Sequence, residues 1–584
     1  MIEQTTPAHA WAQVAAEENG DALVAAMALG GVDHVFFTSG SEIAFYQEGI
    51  AKAQALGRPA PRLITMTHEH AGLNAALGYT AVSGKPSVTA VHVDAGTLNS
   101  GGAIHTAWRS GLPVMLTAGA PPASYPGSML GARDVGGHIW MQQTFDQNGI
   151  VRQYTKWDHR LEYQDNAGLI VSRGLQVALS EPRGPVYLSI PREIAHLPVD
   201  GASFPTAAQL GITAPIAPDP DRIEAIARRL VDARNPFIVV SNSGRNPATF
   251  PALVELCELL GIAVISSILK TSLPFPKAHP LYRRGRGLSD ADAVLVLEAN
   301  VPWMPGSDEP PRDAYVAVID VDPVQSRIPT FEFTADLRMQ ADALLAIQAL
   351  TRAAERLLST SDRARIADRR ERWAAVSAAE EREREEKALA RARATPIDPM
   401  WLSYQIAKAV PDDALFFDEA SRNVEPFLRS PQPGTYFASG GSSGGWAPGA
   451  AFGAKLAAPD RDVIAATGDG FYMYAAAPSA LWAGAHYGAP FMTVVFQNRS
   501  YRTGTVNLRN VYKPGGYAER GGYDGGYFDP PIDFAKEAEA AGAYGENVRD
   551  PAEVAPALQR GLAQIRRGTP AVISVWLPRL MQND

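Results

Sequence analysis

Short apolar, β-branched runs alternate with Ala-rich helical stretches along nearly the whole chain. A strand buried on both faces reads as a continuous apolar run, and joining two parallel strands takes a helical crossover. The alternation therefore predicts an α/β chain of doubly wound parallel sheets. The first group of strands is predicted at 32–37 (VDHVFF), 62–67 (RLITMT), 87–93 (SVTAVHV), 113–119 (PVMLTAG) and 185–190 (PVYLSI). The clearest helix starts at Glu69. The stretch 201–220, with several prolines and little periodicity, reads as a linker. A second group of strands follows at 236–241, 263–268, 293–298 and 315–322, and a third at 414–418, 463–470, 491–498 and 571–577. Between these groups, 351–395 is dense in charges of both signs and free of Gly and Pro, which predicts a solvent-exposed helix laced with i,i+4 pairs. The expected order is a first domain over 1–200, the linker 201–220, a Rossmann-like middle domain over 221–350, the charged helical linker 351–395 and a third domain over 396–584.

Composition closes off several function classes. With 53 Lys+Arg against 62 Asp+Glu the net charge is −9, which gives no electrostatic ground for nucleic-acid binding. No run of about eighteen apolar residues is present, so no membrane span is expected. The N-terminus lacks a basic start followed by an apolar run, and a cytoplasmic location is the expectation. The single cysteine, Cys257, excludes an internal disulfide and a Cys-ligated zinc or Fe–S site; in PALVELCELLG it reads as a buried structural thiol.

Two segments carry chemistry. In VIAATGDGFYMY an apolar strand ends in Gly468-Asp469-Gly470, and in FMTVVFQNRSY a second ends in Gln497-Asn498, with 26 residues between the motifs. Ligands of open α/β sheets bind beyond the carboxyl ends of strands, so both motifs can face one site. Asp469 and the Asn498 side-chain carbonyl are hard oxygen donors suited to Mg²⁺ or Ca²⁺, and Gly470 permits close backbone approach. The bland alternative is a strand-end turn that happens to read GDG. In RLITMTHEHAGLNAALGYTAVSGKP a strand runs straight into a helix with Glu69 at the junction, flanked by His68 and His70. A carboxylate there is expected to be partly desolvated, which raises its pKa and suits proton donation; a helix-capping role is the alternative. The HExH spacing is not the i,i+4 pair of a zinc site.

These features, with HVFFTSG, AWRSGLPVMLTAG, GPVYLSIPREI, AVIDVDP, GWAPGAAFGAKLAAPDRDVIAATGDG and PPIDFAKEAEAAGA, resemble the thiamine-diphosphate enzymes of the acetolactate synthase, 2-oxoacid decarboxylase and 2-hydroxyacyl-CoA lyase superfamily over almost the full length. The resemblance implies pyrimidine-binding, middle and diphosphate-binding domains in that order. It implies thiamine diphosphate and Mg²⁺ as cofactors. Glu69 would hydrogen-bond the aminopyrimidine and activate the cofactor. Asp469, Asn498 and the Ser500 backbone carbonyl would hold the metal. Gly468, Gly470, Phe471 and Tyr501 would lie beside the diphosphate, with Ser421 and Arg422 lining it from the other side. In the family the Glu and the metal motif of one site come from different subunits, which implies a homodimer at least and a homotetramer as the further expectation. The activity implied is C–C bond cleavage or formation next to a carbonyl. A 2-oxoacid decarboxylase or carboligase of acetolactate-synthase type comes first, a 2-hydroxyacyl-CoA lyase second, and a non-catalytic homologue keeping only the fold third.

The chain departs from the family pattern in places. Gln497-Asn498 replaces Asn-Asn. Asp94-Ala95-Gly96 stands where Gly-Pro-Gly is usual. Gly444 occupies the position of the bulky residue that bends the cofactor. The middle domain lacks the Gly-rich piece found beside the flavin, so FAD is not supported; in its place LYRRGRG offers Arg283, Arg284 and Arg286, which as a solvated loop would be bland and as a phosphate clamp would take ADP or CoA. On the substrate side, His138 in GGHIWMQQTFD falls in the region where related decarboxylases place catalytic histidines, with Gln142 one helical turn later; an imidazole suits proton shuttling, and a structural histidine is the alternative. The insertion 510–531, rich in Gly and Tyr, reads as a lid or as a subunit-contact loop.

Overall fold

The computed structural model describes residues 10–133, 136–267, 271–284, 287–420, 423–428, 432–441, 443–512 and 515–579. The chain divides into two compact units. One comprises 1–214 with 441–459 and 474–489; the other comprises 215–440 with 460–473 and 490–584.

In the first unit, β1 (Ala12–Val14) pairs antiparallel with β8 (Ala202–Phe204), so the early part of the stretch read as linker is structured. Between them run β2 (His34–Phe37), β3 (Arg62–Thr65), β4 (Ser87–Val91), β5 (Val114–Ala120), β6 (Asp158–Arg160) and β7 (Val186–Pro191). They form a parallel sheet in the order β3-β2-β4-β5-β7-β6. Every residue of β4, β5 and β7 is buried, as helix cover on both faces demands. The helix Glu69–Ser83 packs on the helix Ala447–Ala457 at backbone contact distance. A Cβ on Gly453 would lie 1.8 Å from the Ala75 carbonyl oxygen, and one on Gly78 would lie 1.9 Å from that of Ala450. The glycines of GLNAALGYTA and PGAAFGA are there to let the two backbones meet.

The second unit holds two six-stranded parallel sheets. The middle sheet contains β9 (Pro236–Val240), β10 (Ala263–Ser266), β11 (Tyr282–Arg283), β12 (Ala293–Leu297), β13 (Tyr315–Asp320) and β14 (Leu337–Gln340), in the order β11-β10-β9-β12-β13-β14. The third contains β15 (Leu415–Glu419), β16 (Tyr436–Ala438), β17 (Val463–Gly468), β18 (Met492–Gln497), β19 (Tyr544–Val548) and β20 (Ala571–Trp576), in the order β16-β15-β17-β18-β20-β19. The segment before β11 joins the two sheets. Thr271 accepts from the Ala438 amide at 3.0 Å, and Leu273 donates to Tyr436 at 3.3 Å. Cys257 is a buried free thiol in this core, as expected.

The charged stretch 351–395 is mostly the exposed helix its composition predicts, with the i,i+4 pair Glu383–Lys387, but it comprises two helices and a buried anchor. Residues up to Leu357 complete the helix Ala343–Leu357, whose Leu350, Ala353 and Ala354 belong to the middle core. A new helix, Thr360–Leu389, then starts at a capping box formed by Ser359 and Asp362. One face is buried: Arg369 donates to the carbonyls of Gly261 at 3.0 Å and Ala233 at 2.9 Å, and to that of Leu260. It thereby satisfies carbonyls at the ends of two helices, where the dipole favours a cation. Burial pushes this guanidinium down to about 10, so it stays charged at neutral pH. The LYRRGRG segment is likewise not simply solvated. Arg283 is buried, pairs with Glu380 and lies 5.0 Å from the Trp373 ring; Arg286 lies outside the described residues.

Candidate active site

In the order β3-β2-β4 the chain leaves β2 in opposite directions, so the carboxyl ends of β2 and β4 bound a crevice. Glu42 follows β2, His92 follows β4 and Glu69 follows β3. Glu69 opens the helix Glu69–Ser83 and is half-buried, its Oε2 accepting from Asn99 Nδ2 at 3.1 Å. The capping role falls to His68 instead: its Nδ1 accepts from the His70 amide at 3.2 Å. His70 is buried and pushed down to about 4 by that burial, hence neutral, and its Nε2 lies 3.3 Å from the Gly445 carbonyl oxygen. Asn74 donates to the same oxygen at 3.3 Å. The segment carrying Gly444 is therefore held against the helix that begins at Glu69. Gly445, at φ +91°, adopts a backbone conformation that other residues rarely do.

The strongest electrostatic feature of this half-site is a residue that the sequence reading passed over. His92 Nδ1 lies 2.8 Å from Oε2 of Glu42, a carboxylate only 1 % exposed. The Glu42 hydrogen bond and charge raise the His92 pKa above that of an ordinary imidazole, against the opposing effect of burial, with Asp94 and Glu69 adding in the same direction. Burial would raise the Glu42 carboxyl, but His92 outweighs it and holds it below the usual range. Gly40 exists for this contact, since a Cβ there would lie 2.5 Å from His92 Nδ1. Gln142 Nε2 stands 2.8 Å from His92 Nε2. Thus the structure brings Gln142 into the cluster. His138 it leaves outside, exposed at the start of the short helix His138–Met141, its side chain without a hydrogen bond among the described residues. The signal for His92 was its place in VHVDAG, one residue beyond a buried strand at the switch of strand order.

The second unit repeats the arrangement. In the order β16-β15-β17-β18 the switch lies between β15 and β17. Asp469 stands directly after β17, and Asn498 directly after β18. Asp469 is 2 % exposed, and burial pushes its carboxyl up to about 6 against the pull of backbone amides. Its Oδ1 accepts from the Gly470 amide at 2.8 Å and its Oδ2 from the Arg499 amide. That second bond ties the two strand ends together, with Arg499 at φ +57°. Asn498 Oδ1 accepts from the Ser500 amide at 3.0 Å and from its hydroxyl at 2.6 Å. Ser421 and Arg422 lie outside the described residues. Gly468 ends β17, and Gly470 and Phe471 sit in the helix Asp469–Tyr474. A Cβ on Gly470 would touch the Tyr501 ring at 3.4 Å, and Tyr501 in turn meets Phe528 edge-on at 4.5 Å. The base of the Tyr- and Gly-rich insertion is thus fixed: Tyr501 donates to Gly526 at 2.8 Å and Phe528 to Arg499 at 2.9 Å.

A divalent metal suits this half-site. Its donors are hard oxygens, and one desolvated carboxylate without a cation is the group a metal would satisfy. No cluster of three or more His, Cys, Asp or Glu exists among the described residues, so the remaining ligands must come from elsewhere, as phosphate oxygens would.

Family models match both half-sites: "thiamine pyrophosphate enzyme, N-terminal TPP binding domain" over residues 18–150, and "thiamine pyrophosphate enzyme, C-terminal TPP binding domain" over 420–575. Similar curated proteins include benzoylformate decarboxylase of Pseudomonas aeruginosa, 28% identical over 458 residues, covering 75% of this chain and 79% of that one. They also include sulfoacetaldehyde acetyltransferase of Castellaniella defragrans, 25% identical over 597 residues (96% and 93%), and the acetolactate synthase large subunit of Mycobacterium tuberculosis, 25% identical over 563 residues (93% and 93%). Among solved structures, thiamine diphosphate-dependent 4-hydroxybenzoylformate decarboxylase of Rhodococcus jostii shares the fold with a TM-score of 0.75 at 22% identity, over 97% of this chain and 100% of that one. The chain belongs to the thiamine pyrophosphate enzyme superfamily.

Proposed function

We propose that the protein is a thiamine diphosphate- and Mg²⁺-dependent 2-oxoacid decarboxylase able to act as a carboligase. The observation that carries this reading is the Glu42–His92–Gln142 chain at the crevice beside Glu69, a proton donor of raised pKa where a decarboxylase must hold a proton. Thiamine diphosphate, when bound, supplies the sink for the electron pair released as the C–C bond breaks. Asp469, Asn498 and the Ser500 carbonyl would hold Mg²⁺ on the diphosphate, and Glu69 would hold the aminopyrimidine ring. Glu42 keeps the proton on Nδ1 of His92, which leaves Nε2 to take or give a proton. Neutral His92 accepts from the Gln142 amide NH₂ at Nε2. Once protonated it requires the amide oxygen there, a half-turn of the Gln142 side chain.

Purified protein with thiamine diphosphate and Mg²⁺ would be offered pyruvate, a branched 2-oxoacid, benzoylformate and 2-hydroxyacyl-CoA thioesters in separate tubes, followed by NMR. Consumption of a 2-oxoacid with release of CO₂ and an aldehyde or acyloin is the expected result; consumption of thioesters alone would replace the decarboxylase reading by the lyase one. Glu69→Gln is expected to bind the cofactor nearly as well while turnover falls by roughly 10²–10⁴-fold, the usual range for loss of one acid–base group.

A further inference from the structure

A cavity of about 290 Å³ lies in the second unit, where the helix Thr360–Leu389 meets the helix Pro399–Ala409 and the start of β15. Its walls are mixed: Tyr404, Phe416, Phe427 and Leu428 stand beside the charged groups Glu381, Glu385, Lys408 and Asp412. Two guanidiniums, Arg284 and Arg384, also line it, and neither forms an ion pair or hydrogen bond among the described residues. Glu380 and Glu381 act on both guanidiniums through their charge, and Glu425 on Arg284, but none forms an ion pair or hydrogen bond with either. Glu380 pairs with Arg283, and Glu385 accepts from Tyr404 Oη at 2.7 Å and faces Lys408 at 3.9 Å. Glu381 on the wall is also engaged, and Asp412 is exposed at the rim.

Two like charges in a half-enclosed space repel each other and lose hydration. Burial, then Arg284, pushes Arg384 down to about 10, and burial lowers Arg284 as well. Neither can escape by deprotonation near neutral pH. The absence of any carboxylate in direct contact with either guanidinium is the observation to explain. Planar guanidiniums bind tetrahedral or planar oxyanions in a bidentate manner, and an anion between two of them is held more strongly than by surface lysines.

We infer that this cavity is a binding site for a compact dianion of the phosphate class, free or as a small phosphomonoester, held between Arg284 and Arg384. The volume admits such a group and little more, being at the low end for small-molecule sites. The site stands toward the N-terminal half of β15, at Ala414 and Phe416, whereas Asp469 and Asn498 stand at the carboxyl ends of neighbouring strands. An occupant would thus bind alongside the cofactor rather than compete with it. It would also join Arg284 of the middle domain to Arg384 of the helix Thr360–Leu389, and so would stabilise the second unit.

Holoenzyme saturated with thiamine diphosphate and Mg²⁺ would be titrated with inorganic phosphate and, separately, with glycerol 3-phosphate, following heat of binding and thermal midpoint. Saturable binding of at least one probe is expected, weakened tenfold or more in Arg384→Gln and in Arg284→Gln, and only a few-fold in Arg384→Lys. Tighter binding of inorganic phosphate would mark a site for the free ion; tighter binding of glycerol 3-phosphate would mark one for a phosphorylated metabolite. Absence of saturable binding by either probe would overturn the assignment. So would equal affinity in the wild type and whichever of the two Gln variants folds.

Discussion

At the residue scale the pair on which the proposed function rests is Glu42 and His92, 2.8 Å apart. A histidine whose pKa is raised by a carboxylate stays protonated to higher pH than a free imidazole, so an activity that needs the imidazolium persists further into the alkaline range. Removing the carboxylate's charge removes the largest cause of that rise. Glu42→Gln is therefore expected to move the alkaline limb of the kcat/KM profile to lower pH, with Asp94 and Glu69 left to support a smaller elevation. A limb that stays in place would take His92 out of the role. The same region shows what a sequence can and cannot disclose. Glu69, Asp469 and Asn498 could be named because each stands at or shortly past the end of an apolar strand in a distinctive local string. His92 follows one too, but its importance depends on Glu42, fifty residues away in sequence. Glu42 reads as an ordinary helix-entry acid until β2 and β4 are known to be neighbours. His138 has an equally inviting local context, yet its side chain is exposed and makes no hydrogen bond to the cluster.

Elements were readable in proportion to their burial. All the strands named from the sequence are present, because parallel strands covered on both faces must be continuous apolar runs. Those passed over include β6 (DHR), β14 (LRMQ) and β19 (YGENV), all at sheet edges, where polar side chains are tolerated and the apolar signal fades. The long charged helix is mostly exposed as expected, but its buried anchor was missed for a related reason. Its anchor is a buried arginine, and composition counts Arg369 as a surface residue although its partners are four backbone carbonyls. The helix pair Glu69–Ser83 and Ala447–Ala457 allows a direct test of packing. Gly453→Ala would force a methyl group to within 1.8 Å of a backbone oxygen, a clash that neither helix can relieve by rotating a side chain. It is expected to cost ~3 kcal/mol or more, at the upper end for overpacking, and to lower the thermal midpoint or the yield of folded protein. Gly101→Ala, at an exposed helix start with nothing within 4 Å of the new Cβ, is the matched control and should fold normally.

At the scale of the whole molecule, two of the three sheets share one topology. Counted from its own first strand, each of the outer sheets runs 2-1-3-4-6-5, while the middle sheet runs 3-2-1-4-5-6. No sequence repeat between the outer regions was visible, because strand order constrains connections and burial rather than residue identity. Each outer sheet offers its own switch point, one with Glu42, His92 and Glu69 close by and the other with Asp469. These two halves belong to different compact units, and the family pattern assigns the halves of one site to different subunits of an oligomer. Mixing two inactive variants tests that assignment. In a dimer built from one Glu69→Gln and one Asp469→Ala chain, a shared site combining both substitutions is dead. The other site draws Glu69 from the Asp469→Ala chain and Asp469 from the Glu69→Gln chain, and is intact. Random exchange makes about half of the dimers mixed, each with one of two sites working, so activity should return to about a quarter of the wild-type value. If each chain instead builds its whole site alone, every site in the mixture keeps one lesion and activity stays near that of the separate variants. Subunit exchange would be verified by mass spectrometry of isotopically labelled chains, so that silence in the assay could be read as sites confined to single chains.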